Sequence, residues 1–214
     1  MLMSQLHLPT LLVASTAVIG LCGLLLIFSW LQGRHERALL WTGAMMLLAA
    51  LGLLLNAMRG GSFDWVPIIL GNIVLLLCIA MNWSVMRVFC GRPPSYPWVC
   101  AGAACWALLC LWPTFYTSLP ARVAVHTLIA SLYLLAALVE LWRARGRLEV
   151  SVVPMAVLIC LHLLFLLSRL FLGPSTTNHG DVQSNPLFTF VLIESMLYAV
   201  GVAFMVLSMV KERA

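Results

Sequence analysis

The chain has 214 residues, of which 63% are hydrophobic and only 9% charged, with a mean hydropathy of +1.05 and a net charge of +5. Soluble domains average roughly 25% charged and 45–50% apolar residues, so this composition excludes an ordinary water-soluble fold. The basic groups are too few and too dispersed for a nucleic-acid-binding surface, and lipid is the solvent that suits such a chain.

Seven apolar runs follow one another along the chain, and a transmembrane helix needs about 20 such residues. Helix is predicted over strand because runs this long and this uniformly apolar do not suit barrel strands. We therefore predict one domain over residues 1–214, an all-α integral membrane bundle of seven transmembrane helices. The runs are 8–31, 38–58, 65–88, 97–113, 120–142, 150–172 and 187–210, and the fourth is the shortest.

The distribution of basic residues predicts the orientation of the bundle, since positive charge accumulates on cytoplasmic loops. Nine of the twelve lysines and arginines fall in or beside the connections on one side of the predicted bundle. This places the N-terminus outside and the C-terminus in the cytoplasm. The other side has only Arg59, Arg122 and Arg169, all near helix ends.

Motifs of known enzymes are missing from the sequence. It contains no phosphate-binding Gly-x-x-x-x-Gly-Lys-[Ser/Thr], no His-Glu-x-x-His and no Gly-x-Ser-x-Gly. The seven cysteines include no Cys-x-x-Cys pair, so no zinc site is predicted. We predict that these residues are not an enzyme and hold no cofactor or metal.

Polar side chains inside the apolar runs are informative, because each is costly in lipid unless it is paired or hydrated. At 1.5 Å of rise per residue, several fall in the outer third of the second, third, fifth, sixth and seventh predicted helices. Residues three, four or seven apart share a helix face, which groups His162 with Arg169 and Glu194 with Tyr198. We expect an outward-opening pocket in which Glu194 is the acid, with Arg122 or Arg169 as its partner. The candidate pocket residues are Asn56, Arg59, Asn72, Arg122, His126, His162, Arg169, Glu194 and Tyr198.

Simpler interpretations of these residues stay open. A buried glutamate–arginine pair can serve packing alone, since a buried charge needs a partner. His126 and His162 could ligate a haem iron. Their depths of roughly 9 Å and 15 Å argue against a flat haem between them. Glu140 is expected to reach the interface and pair with Arg143 or Arg145. Asn82 is expected to hydrogen-bond across helices.

Polar residues and prolines recur along the chain at spacings that define a pattern. The stretches are 41–59 (WTGAMMLLAALGLLLNAMR), 64–65 (DW), 70–72 (LGN), 87–89 (RVF), 91–93 (GRP), 113–123 (PTFYTSLPARV), 140–143 (ELWR), 161–162 (LH), Arg169 and Glu194. In this pattern the chain resembles the N-terminal membrane-sensing region of bacterial GGDEF-type diguanylate cyclases. The likeness covers nearly the whole chain.

The resemblance implies a sensory input module in the bacterial inner membrane. Such a region passes an outside or membrane-borne signal, here an unidentified small ligand or membrane lipid, through the last helix to a cytoplasmic domain that makes cyclic di-GMP. It also implies a homodimer, because two cyclase domains face each other in the reaction. The sequence contains no Gly-Gly-Asp/Glu-Glu-Phe motif, so the cyclase would be a C-terminal or a separate output domain.

Two other function classes stay open. Polar stripes on the third and fifth predicted helices could line the path of a small transporter or channel, although no internal repeat of the kind common in transporters is visible. A haem- or quinone-binding redox membrane protein is the other alternative, and it would be recognised by its colour.

Overall fold

The computed structural model of the protein describes residues 8–33, 35–58, 64–146, 152–172 and 186–212, and these residues are helical apart from short connections. A π-helical turn, Val66–Gly71, leads directly into the third helix. The α-helices within the described ranges are α1 (Leu8–Gln32), α2 (Arg37–Ala57), α3 (Asn72–Phe89), α4 (Tyr96–Cys110), α5 (Pro113–Thr117), α6 (Leu119–Ala144), α7 (Val153–Leu172) and α8 (Pro186–Glu212).

Six of these helices, all except α4 and α5, are long and apolar enough to cross a membrane, counting the π-helical turn as part of α3. The chain is therefore a multi-pass membrane protein. The predicted fourth span is shorter than expected, because α4 has only 15 residues. At 1.5 Å per residue it rises about 22 Å, less than a hydrocarbon core of about 30 Å. The seven-helix count and the N-out orientation stay predictions.

Proline accounts for the early end of α4. The predicted run continued to residue 113, but the helix ends at Cys110, and Trp112 is extended at φ −87° and ψ 114°. A residue before proline is disfavoured in the α conformation, so Pro113 forces this break although the chain stays apolar. The same proline then begins the short helix α5.

The six long helices form a closed helix ring. Packing runs from α1 to α2, α3, α6, α7 and α8, and α8 returns to α1. The short helix α4 packs mainly on α3 at the outside of this ring. Glycines allow the closest approaches, since small residues let membrane helices approach closely. A Cβ on Gly43 of α2 would lie 2.6 Å from Ile27 Cγ1 and 2.9 Å from the carbonyl oxygen of Gly23.

The π-helical turn leaves backbone carbonyls that side chains satisfy. Such turns have i to i+5 hydrogen bonds and are rare outside single turns, often at functional sites. The side-chain amide of Asn72 donates to the carbonyl oxygens of Pro67 (3.1 Å) and Ile68 (2.9 Å). Trp106 of α4 also donates its indole N–H to Ile68 O at 3.0 Å. The Trp106 bond attaches α4 to the beginning of the third span.

Along the bundle axis, one half of the helix ring is filled by packed side chains and an ion cluster. We call it the closed half. Its core includes Val85, Met86, Phe89, Met155 and Val206, each 1% exposed or less. Their burial leaves this half filled with side chains. It contains the C-terminal parts of α3, α6 and α8 and the N-terminal part of α7.

Glu140 of α6 is the centre of the ion cluster in the closed half. It is 5% exposed and accepts hydrogen bonds from Arg87 Nη1 at 2.9 Å and from Arg92 Nη1 at 2.6 Å. The expectation that it would pair with Arg143 or Arg145 is therefore wrong. The cluster instead connects α6 to the C-terminal end of α3 and to the loop after it.

A candidate ligand-binding cavity

The other half of the helix ring encloses a cavity of about 520 Å³. This volume lies within the range of roughly 300–1,000 Å³ that is typical of small-molecule sites. Most of the lining side chains are apolar, and they come from all six long helices together with Trp106 of α4. The polar lining residues are Asn56, Asn72, Asn82, Arg122, His126, His162, Ser168, Arg169, Ser195 and Tyr198.

The cavity extends about half-way through the membrane-spanning bundle. On α3 its lining runs from Asn72 to Asn82, which corresponds to about 15 Å of helix rise. A hydrocarbon core is about 30 Å thick. One helical turn beyond Asn82, Val85 and Met86 are fully buried at the beginning of the closed half. Among the described residues, the cavity therefore ends against a packed core.

A partly buried polar network joins α7, α8 and α3 along the cavity wall. His162 Nδ1 of α7 lies 2.7 Å from Glu194 Oε1 of α8. With the carboxylate ionised, Nδ1 carries the proton and donates it. The imidazole also stacks on the ring of Tyr198, with centroids 3.8 Å apart and planes 7° from parallel. The Tyr198 hydroxyl accepts a hydrogen bond from the side-chain amide of Asn82. We call these four residues the His162 network.

The two arginines of the predicted pocket both line the cavity, one on each of two neighbouring helices. Arg122 lies in the first turn of α6 and Arg169 in the last turn of α7, and both are partly buried. Arg122 Nε has no hydrogen-bond acceptor among the residues that the structure describes. Arg169 is within electrostatic range of Glu194, and Arg122 within range of Asp64, which is exposed.

The expected partner of Glu194 was an arginine, and the structure gives a different arrangement. The carboxylate is hydrogen-bonded to His162, and Arg169 acts on it only at longer range. Its second oxygen, Oε2, is buried and has no hydrogen-bond partner within the described part of the chain. The acidic group thus keeps an unused acceptor beside the cavity.

Two asparagines of the predicted pocket have local structural partners. Asn72 satisfies the carbonyls of the π-helical turn. Asn56 of α2 donates to Gly52 O at 2.9 Å, and its amide packs so closely on Gly71 that a Cβ there would lie 2.6 Å from Asn56 Nδ2. Asn72 therefore stabilises the π-helical turn, and Asn56 lies at the contact between α2 and that turn, while both also line the cavity.

Seven of the nine predicted pocket residues line this single cavity, and Glu194 is bonded to one of them. His126 does so beside Trp106, whose ring it meets edge-on with centroids 5.8 Å apart. Arg59 lies outside the described residues. Whether these residues bind a ligand stays a prediction.

Sequence reasoning missed Asn82 as a cavity residue, although it correctly expected a hydrogen bond across helices, which Asn82 makes to Tyr198. Asn82 lies seven residues after Leu75 and four after Cys78, and all three line the cavity. That helical spacing is a signal that could have found it. Ser168 and Ser195 were also missed, because single serines are common in apolar helices.

The cavity thus combines a mostly apolar wall with polar groups from α2, α3, α6, α7 and α8, and its chemistry has to be inferred from these residues. Comparisons with protein-family models, with curated proteins and with solved structures found no match to this chain.

Proposed function

We propose that the chain is a membrane-embedded sensory input module, in which a small ligand in the cavity changes how α8 packs in the helix ring. One observation carries the proposal: the cavity is lined by His162, whose hydrogen bond to Glu194 connects α7 to α8. A ligand in this cavity would touch the groups that connect α8 to its neighbours.

The helix α8 is suited to transmit such a change. It packs on α1, α2 and α7, and its polar connections to other helices include the bonds of Glu194 and Tyr198 in the His162 network. A ligand shifts a conformational equilibrium only if it interacts differently with the two states. A ligand that contacts His162, or Arg169 in electrostatic range of Glu194, would supply that difference, because it would weaken one connection of α8 and leave the apolar contacts.

A receptor is favoured over a transporter or channel by the shape of the cavity. Polar lining groups occur from Asn72 to Asn82, whereas the described residues beyond them form the tightly packed closed half. A path would need to continue through the ion cluster around Glu140. Flux measurements with the protein in reconstituted vesicles separate the two functions: the receptor proposal expects no protein-dependent flux of small ions or metabolites.

The resemblance to GGDEF-type input regions supports a cytoplasmic cyclase as the output domain. On this proposal the protein lies in a bacterial inner membrane as a homodimer, with seven spans and its N-terminus outside. Reading the encoding gene beyond the codon for Ala214 tests the output partner. A reading frame that continues through a helical linker into a GGDEF domain supports a fused cyclase, whereas an immediate stop codon would contradict fusion.

Signalling itself is tested by replacing Glu194 with glutamine in the protein together with its output domain. The glutamine side chain would keep a hydrogen-bond acceptor but lose the charge, so E194Q should alter cyclic di-GMP output in cells by about fivefold, equivalent to a change of ~1 kcal/mol in the balance of two states. Glu36→Gln is the matched control, because Glu36 is exposed in the turn before α2. Equal output from E194Q, E36Q and wild type at equal expression would refute the proposal.

A further inference from the structure

We propose that the ligand of the cavity is an anionic amphiphile, a mostly apolar molecule with one carboxylate head that is bound by Arg122 and Arg169. This inference rests on the proposed function of the cavity as a ligand site. It adds the chemical class of the ligand and the two residues that select it.

The cavity wall is positively charged. The only charged side chains among the described lining residues are Arg122 and Arg169, both of them cations. Glu194 lies behind the wall, where its hydrogen bond goes to His162. Asp64, the acidic group near Arg122, is exposed. The cavity therefore presents more positive than negative charge, and an anion is complementary to it.

Arg122 and Arg169 have N–H donors that are available to a ligand. An arginine stays charged in a protein and has five N–H donors in a planar fork that suits a carboxylate. Arg122 has a buried Nε with no acceptor among the described residues, and no ion pair within 4 Å involves Arg122 or Arg169 in that part of the chain. Buried charges are normally paired, so both guanidinium groups are suited to a counter-ion that enters the cavity.

The remainder of the wall defines the rest of the ligand. Most of the other lining residues are aliphatic or aromatic, with Met45, Leu53, Ile79, Phe165 and Val202 among them. A ligand with several charges or many hydroxyl groups would leave polar atoms without partners against this surface. A ligand with one charged head on an alkyl or aromatic body leaves no polar atom of its own without a partner, because the head remains near the arginines.

The test uses two photo-reactive probes that have the same diazirine-bearing ten-carbon tail, one ending in a carboxylate (decanoate) and one in an alcohol (decanol). The full chain in lipid nanodiscs is irradiated with each probe, and labelled peptides are identified by mass spectrometry. Labelling of cavity residues is divided by labelling of Leu197 and Phe204, which are exposed on the outer face of α8, to correct for partitioning into lipid. We expect decanoate to label the cavity about tenfold more than decanol does.

Variants then assign the selectivity to the arginines. R122Q and R169Q should each reduce cavity labelling by decanoate about tenfold and change labelling by decanol less than about twofold. Arg122→Lys and Arg169→Lys should retain part of the decanoate signal, because they keep the charge but not the planar fork. Arg143→Gln is the matched control, since Arg143 is exposed on the same helix as Arg122, and it should leave both signals unchanged.

The source of the carboxylate is tested by competition. Hexanoate added in water represents a soluble acid, and palmitate in the nanodisc represents a membrane lipid. Displacement of decanoate from the cavity by either one supports the inference and identifies the source, whereas displacement by neither overturns it.

The outcomes separate the inference from the function on which it rests. If decanol labels the cavity as well as decanoate does, the cavity remains a ligand site but the anionic class is wrong. If neither probe labels the cavity above the outer face of α8, the ligand site itself fails. If R122Q and R169Q do not fold, the ratio of the two probes and the competition on the wild-type chain still decide the question.

Discussion

The two halves of the helix ring each contain a glutamate within the membrane-spanning bundle, but the two carboxylates differ in their hydrogen-bond partners. Glu140 has both carboxylate oxygens bonded to arginines, at 2.9 and 2.6 Å, in a half filled by side chains. Glu194 has one oxygen bonded to a histidine and the other without a partner among the described residues, beside a cavity.

A structural ionisable group can be distinguished from a candidate functional one by how far its polar atoms are paired within the chain. A charge that serves the fold is neutralised and hydrogen-bonded within the chain, as Glu140 is. A charge that binds a ligand is expected to keep hydrogen-bonding capacity unused within the chain, and Glu194 and Arg122 each have an atom without a partner among the described residues. Stability measurements on variants of the two halves therefore test whether Glu140 is structural and Glu194 is not.

The largest expected effect comes from the closed half. Glu140→Gln leaves Arg87 and Arg92 facing a neutral amide, and breaking a buried ion pair from one side costs about 3–5 kcal/mol. Because Arg92 is 47% exposed at its side chain, we expect the lower value, about 3 kcal/mol. Reversible unfolding in mixed micelles would measure it, with E36Q as the exposed control. An E140Q protein as stable as the E36Q protein would contradict a structural role.

Two alanine-to-leucine substitutions, one in each half, compare the packing of the two halves directly. Ala137 is fully buried in the α6 core, and Ala199 of α8 lines the cavity. Ala137→Leu should destabilise by about 1–3 kcal/mol, as overpacking does. Ala199→Leu should leave stability unchanged or raise it by up to about 1 kcal/mol, because its side chain extends into empty space. Equal losses of stability in the two variants would argue against the cavity.

Glu194→Gln should have a smaller effect on the fold than Glu140→Gln. The glutamine introduced on α8 would retain an acceptor for His162, and the carboxylate it replaces has no ion pair with an arginine within 4 Å in the described residues. We expect a loss of about 1 kcal/mol or less in the free energy of unfolding. A loss as large as that of E140Q would mean that Glu194 is also structural, and the comparison would fail.

The smallest expected effect is that of Tyr198→Phe. This change removes the hydrogen bond from Asn82 but keeps the aromatic ring that stacks on His162. Interhelical hydrogen bonds in membranes contribute about 0.6 kcal/mol on average, and we expect a loss of that size. Phe204→Leu on the exposed outer face of α8 is the control for aromatic content, and it should change stability less than Y198F does.

The spans could be predicted from the sequence because lipid makes hydropathy the dominant constraint on them. The run 187–210 corresponds to α8, Pro186–Glu212, and the run 150–172 to α7, Val153–Leu172. In lipid every backbone polar group must be paired within the helix, so an apolar run has few alternatives. The predicted end of the fourth run at residue 113 is wrong, because Pro113 makes the helix end at Cys110. Hydropathy does not report this kind of backbone steric restriction.

The members of the candidate site could be predicted, but their pairing could not. Depth and helix face placed Arg122, His162 and Arg169 together, and these are properties of a single helix. Partner choice depends on how two helices are rotated against each other, which no periodicity within one helix encodes. For the same reason the sequence predicts an arginine and not His162 as the partner of Glu194. It also predicts arginines close in sequence as the partners of Glu140.

The π-helical turn Val66–Gly71 amounts to one additional residue within an otherwise α-helical span. A π-helical turn takes up the additional residue locally, so deleting one residue here would convert the segment into plain α-helix and leave Trp65 and Asn72 facing nearly as they do now. The hydropathy and the length of the span would hardly change. Among related chains, a one-residue gap at this position would therefore mark a protein that keeps the same cavity wall on α3 and lacks only the π-helical turn.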